Sequence, residues 1–315
     1  MSVEKIILIE PRGFCAGVER AVNTVEEAIE NFGAPIYVKH EIVHNKTVCD
    51  ALRKKGAIFV EEISEIPEGS VCVFSAHGIA PKIREEARAR KLSTIDATCP
   101  LVSKIHIEVG RFAKEGLEIL YIGHRNHPEA VGVMGIRPDI TQIVETPEEV
   151  GEIKVRDPSK LAYLTQTTLS VDECMGVIDA LKKRFPQLRA PPSSDICYAT
   201  TNRQGAIKQA AGRCDVVLVL GSKNSSNSNR LADTAKALGV DAYLIDSVSE
   251  LKEEWVEGKK TVGITAGASA PEYLVQELAQ YFKDRGATVE SMQVIKEDMK
   301  FTMPYELNRP LSRSM

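Results

Sequence analysis

The chain has 315 residues, 43% hydrophobic and 27% charged, with a net charge of −4. That length allows two or three domains with proper cores, and the acidic balance excludes a nucleic-acid binder that relies on bulk positive charge. The apolar run before Glu10 and Pro11 is too short for a signal peptide or a membrane span, so a cytoplasmic protein with no membrane or nucleic-acid partner is expected.

Taken in order, short β-branched runs alternate with amphipathic stretches. Strands are predicted over 5–10, 35–40, 57–61 and 71–78, with helices over 16–31, 45–55 and 80–91. The middle of the chain repeats the style, with strands over 118–124, 141–145 and 160–166 and helices near 100–115 and 170–185. Residues 191–195, PPSSD, have the composition of a linker. Strands over 214–222, 241–246 and 260–267 follow, with helices near 198–212, 228–238 and 271–283. This alternation predicts α/β units with mostly parallel sheets. The expected domains are 1–98, 99–195 and 196–315, the last with a C-terminal tail and with residues 1–14 packing beside it.

IEPRGFCAGVERA, residues 9–21, sets the pattern for the rest. Pro11 and Gly13 break a buried strand, and Cys15 falls at a strand-to-helix turn, where free N–H groups and the helix dipole favour a thiolate. The arrangement recurs. Cys99 opens a helix in DATCPLVSK, and Cys197 opens another in DICYATTNR. A strand ending in polar residues then follows each time: His44 lies 29 residues after Cys15, His127 lies 28 after Cys99, and Ser225 lies 28 after Cys197. A second polar cluster closes each third, at His77, Thr167 and Ser269. In open α/β sheets ligands gather at the carboxyl ends of strands, beside helix N-termini. Three such units would bring three thiolates and three pairs of polar loops together.

Cys15, Cys49, Cys72, Cys99, Cys174, Cys197 and Cys214 include no C-x-x-C pair, which disfavours zinc ribbons and thioredoxin-type motifs. Cys49, Cys72, Cys174 and Cys214 fall on helix faces or in apolar strands and are expected to pack. Soft thiolates favour zinc, Cu(I) or an iron–sulfur cluster. Zinc would want a fourth ligand such as His127 or Glu129, whereas a cubane held by three Cys leaves one iron open for a substrate. The donor-rich loops favour the cubane and suit an anion held by neutral groups. Neither G-x-x-x-x-G-K-[ST] nor G-x-G-x-x-G occurs. His40-Glu41-Ile42-Val43-His44 matches H-E-x-x-H, but it follows a strand, and that metalloprotease motif works only on a helix. His40, His106 and His124 lack counterparts in the repeat and are expected to be structural. Glu129 is the acid embedded in a polar cluster, a candidate proton donor.

Together PRGFCAGVERA, EIVHN, FSAHG, DATCPLV, GHRNHPE, TQTTLS, DICYATTNRQ, GSKNSSNSNRL and TAGASAP closely resemble the LytB-type 4-hydroxy-3-methylbut-2-enyl diphosphate reductases of the non-mevalonate isoprenoid pathway. The resemblance runs from about residue 5 to about residue 275 with the family's motif order intact. It implies three similar α/β domains in a pseudo-threefold arrangement around a central 4Fe–4S cluster held by Cys15, Cys99 and Cys197, the fourth iron open to the substrate hydroxyl. His44, His77, Ser225, Ser226, Asn227 and Ser269 would hold the diphosphate, with His127 beside it. Glu129 would supply the proton, and Thr167 would bond near the hydroxyl. The products would be isopentenyl and dimethylallyl diphosphate, and a ferredoxin or flavodoxin would deliver the electrons.

Overall fold

The computed structural model describes residues 3–308, so residues 1–2 and the last seven residues of the expected tail, 309–315, lie outside the described residues. In chain order the first elements are β1 (Lys5–Glu10), α1 (Ala16–Phe32), β2 (Ile36–Lys39), α2 (Lys46–Lys55), β3 (Ala57–Val60) and β4 (Val71–Phe74). Next come α3 (Pro81–Ala89), β5 (Ser93–Asp96), α4 (Pro100–Lys114), β6 (Glu118–Ile122), α5 (Pro128–Met134) and β7 (Thr141–Val144). β8 (Leu161–Thr165), α6 (Val171–Arg184), α7 (Tyr198–Ala210), β9 (Val216–Leu220) and α8 (Ser226–Ala237) follow. The last are β10 (Asp241–Ile245), β11 (Thr261–Ala266), α9 (Glu272–Lys283) and β12 (Thr288–Gln293). Every predicted strand and helix is present, most with slightly tighter ends.

The strands form three sheets, in the orders β10-β9-β11-β1-β12, β3-β2-β4-β5 and β7-β6-β8. All their pairings are parallel. β5 and β12 were not predicted. Each is an edge strand, and SerThrIleAsp in β5 and the largely exposed β12 lack the apolar run by which a buried strand is recognised.

The chain divides into two compact units. Unit 1 comprises residues 1–19, 44–50 and 198–300, and carries the five-stranded sheet. Its β1 is buried on both faces: Ile6 and Leu8 pack with Leu274, Leu278 and Phe282 of α9, and Ile7 and Ile9 pack with Ile207 of α7 and Leu231 of α8. Burial on both sides explains an apolar run without alternation.

Unit 2 comprises residues 20–43, 51–197 and 301–315, and carries the other two sheets. Around β6 and β8, Leu120, Ile122, Leu161 and Tyr163 face α6, while Ile119, Tyr121, Ala162 and Leu164 face Ile105, Val109 and Phe112 of α4. Thr302 accepts from Arg20 Nε at 2.7 Å, and Leu307 O accepts from Asn31 Nδ2 at 3.4 Å, so residues 301–308 run along α1. No helix among the described residues is long and apolar enough to cross a membrane.

Candidate functional site

Cys15, Cys99 and Cys197 each stand directly before a helix, α1, α4 and α7. Their amides are fixed in one recurring way. Cys15 N–H donates to Ala268 O at 3.1 Å, Cys99 N–H to Ala76 O at 3.0 Å, and Cys197 N–H to Thr167 O at 3.1 Å. Each acceptor lies in the second polar cluster of another third of the chain, so the sequence repeat closes on itself in its hydrogen bonds. The turn before Cys15 needs Gly13, whose φ is +70°. Its carbonyl accepts from Arg203 Nη2 at 2.8 Å, and Arg203 is itself 1% exposed and bonded to Glu297 and Ala199 O.

In unit 1 the structure gathers His44, Ser225, Ser226, Asn227 and Ser269. Ser225 caps α8, its hydroxyl accepting from Ser228 N–H at 3.3 Å. Asn227 Oδ1 accepts from Ala268 N–H at 2.9 Å, and Ser269 Oγ donates to His44 O at 2.9 Å. A methyl group on Gly221 or Gly267 would fall within about 2 Å of Ser228 Oγ. Glycine at both positions therefore lets the start of α8 lie against the ends of β9 and β11. The result is a cluster of neutral donors at a helix N-terminus, a natural anion site.

Unit 2 holds His77, His127, Glu129 and Thr167. The His77 and His127 rings meet edge to face at 6.0 Å, and the residues flanking them, Ser75, Gly78, Asn126 and Pro128, line a cavity of about 330 Å³. His127 caps α5, its Nδ1 accepting from Glu129 N–H at 3.2 Å. Glu129 is 2% exposed. Its carboxylate accepts from Thr167 N–H at 2.8 Å, Thr167 Oγ1 at 2.9 Å and Tyr121 Oη at 3.4 Å. Burial pushes the carboxyl up to about 7, outweighing the hydrogen bonds that draw it down. It can therefore hold and release a proton near neutrality.

Two histidines without repeat counterparts lie against this cluster, and the His40 ring meets His77 edge to face at 5.9 Å. His40 has φ +63° in a non-helical segment and pairs with Glu61 at 2.9 Å, so H-E-x-x-H lacks the helix it requires. His106 lies under Gly78 and Gly132, and burial pushes it down to about 4, which keeps it neutral.

The profile of the LytB protein family matches residues 6–283. The chain belongs to the LytB family. A relative from Dechloromonas aromatica named 4-hydroxy-3-methylbut-2-enyl diphosphate reductase is 54% identical over 305 residues, covering 96% of this chain and all of that one. One of the same name from Streptomyces avermitilis is 54% identical over 312 residues, covering 98% and 92%. The solved E-1-hydroxy-2-methyl-but-2-enyl-4-diphosphate reductase from Plasmodium falciparum superposes with a TM-score of 0.94 at 41% identity, covering 97% of each chain.

The LytB thiols divide into two groups. Cys15, Cys99 and Cys197 are half-buried and sit directly before helices. Burial pushes Cys72 and Cys174 up to about 12 and Cys214 to about 11, leaving them as inert thiols, and Cys49 is buried in α2. Half-buried thiols before helices are the kind of soft ligand that an iron–sulfur cluster takes. The residues missed by sequence reasoning are Tyr121, Arg203, Lys104 and Asp195. The last left a visible signal, since an Asp precedes both Cys99 (in DATC) and Cys197 (in DIC).

Proposed function

We propose that this LytB chain reduces (E)-4-hydroxy-3-methylbut-2-enyl diphosphate to isopentenyl and dimethylallyl diphosphate. Two electrons and two protons enter and the hydroxyl leaves as water. The observation that carries the proposal is the threefold recurrence of a half-buried Cys before a helix, its amide tied to a polar loop of another third. Full-length relatives bearing the reductase name support it.

Cys15, Cys99 and Cys197 would hold a 4Fe–4S cluster. When bound, that group supplies the electrons and an open, Lewis-acidic iron for the hydroxyl oxygen. Ser225, Ser226, Asn227, Ser269, His44 and His77 bind the diphosphate through neutral donors and the start of α8. Their contacts are far from the bond that breaks, so their binding energy serves to orient the reacting end. Glu129 holds the proton that the leaving hydroxyl needs, with Thr167 fixing both carboxylate oxygens and His127 fixing the start of α5. Electrons come from a small carrier such as a ferredoxin or flavodoxin, and the reaction takes place in the cytoplasm.

Mössbauer spectroscopy on anaerobically prepared protein tests the proposal. A 4Fe–4S signal with one distinct iron, altered by adding the hydroxylated allylic diphosphate, is the expected result. Protein that holds zinc, or no iron after anaerobic reconstitution, overturns it.

A further inference from the structure

The composition of residues 191–195 suggests a linker, yet the Asp195 side chain has no solvent exposure. Lys104, on the second turn of α4, reaches it. The Lys104 ammonium donates to Ser193 O at 3.0 Å, Ser194 O at 3.1 Å and Asp195 Oδ1 at 3.1 Å. An ammonium has three N–H donors, and all three are directed at one segment of three residues. The other carboxylate oxygen, Asp195 Oδ2, accepts from Thr165 N–H at 3.1 Å, at the end of β8.

This bonding links two cysteines through short, rigid paths. Cys99 is the residue directly before α4, and its carbonyl accepts from Ser103 N–H at 2.9 Å, one residue before Lys104. The tethered segment 193–195 leads within two residues to Cys197. Cys197 is also held to Thr167, two residues beyond the Thr165 that Asp195 grips. We infer that Lys104 and Asp195 are positioning residues that set the spacing of Cys99 and Cys197, and so govern how firmly the chain retains its cluster. The inference rests on the proposal that both cysteines ligate one cluster. An exposed ion pair contributes little to stability or geometry, but here the carboxylate has no solvent exposure and the half-buried ammonium is also joined to two backbone carbonyls. Groups that orient metal ligands typically change metal affinity by 10–100-fold when removed.

The test measures iron loss to a ferrous chelator, and amide hydrogen exchange across α4 and β8, on anaerobically loaded protein. The variants are Lys104→Met and the double variant Lys104→Met/Asp195→Asn, with Arg137→Gln, which breaks the exposed Arg137–Asp139 pair, as control. Lys104→Met leaves a buried carboxylate without its cation, so both readouts should worsen. The double variant removes that stranded charge and keeps an acceptor for Thr165 N–H, so exchange protection should return toward wild type. Iron loss in the double variant should nevertheless stay about tenfold faster than wild type, because the tether is gone. If iron retention recovers together with exchange protection, Lys104 and Asp195 support only the fold and the inference is overturned. Cys99→Ser separates the two ideas: an intact cluster in that variant defeats the ligand assignment itself, whatever the Lys104 variants do.

Discussion

The polar loops of the two units use similar side chains but aim them at different partners. Around Ser225, Asn227 and Ser269 in unit 1 the hydroxyls and amide are held by helix capping and backbone bonds. Around Thr167 in unit 2 the same kind of neutral donors converge on a buried carboxylate. Neutral donors at a helix start can hold a diphosphate without neutralising it. A carboxylate with almost no solvent exposure is pushed toward neutrality, which turns a poor proton donor into a useful one. In the proposed reaction one region binds and the other holds a proton.

The sharpest way to break this contrast is Glu129→Gln. It keeps the shape and one acceptor for Thr167 but holds no transferable proton. Steady-state turnover should fall roughly a hundred- to ten-thousand-fold, with substrate binding and cluster content retained. Near-normal turnover would exclude Glu129 as the principal proton donor.

The same variant should show in stability. The folded carboxyl, at about 7, lies above an unfolded value of about 4.3. Its contribution is therefore fully present below the unfolded value and is lost as pH rises through about 7. Between about pH 4 and about pH 8 the wild type should lose up to about 3 kcal/mol relative to Glu129→Gln. Urea unfolding of the loaded protein at several pH values measures this, and parallel curves for the two proteins would show that burial does not raise the carboxyl.

The smallest effect is expected in the binding region. Asn227→Ala strands Ala268 N–H, whose own carbonyl anchors Cys15. It should lower kcat/KM about tenfold, from the cost of one unmade buried hydrogen bond. KM should rise and kcat should fall, because diphosphate contacts orient as well as bind. A change in KM alone would reduce this loop to uniform binding.

Much of this was legible in the sequence because the signals are local. β1 shows as four consecutive apolar residues, and Pro100 and Pro128 mark the first turns of α4 and α5. The Cys-before-helix repeat shows in spacing alone. The polar edge strands β5 and β12 did not show, since an edge exposed to solvent needs no apolar alternation. Asp195 was hidden by Pro and Ser neighbours whose composition signals a linker, and its half-buried partner Lys104 lies 91 residues away.

The sequence by itself determined the α/β class, the order of elements and the three thiols that open helices, because periodicity and turn chemistry act over a few residues. Only the tertiary structure decided which carbonyl each cysteine amide meets, where β1 and β12 join their sheet, and how deeply Glu129 is buried. Those outcomes depend on contacts between residues as distant as Cys15 and Ala268, and on the exclusion of water, which no local pattern encodes.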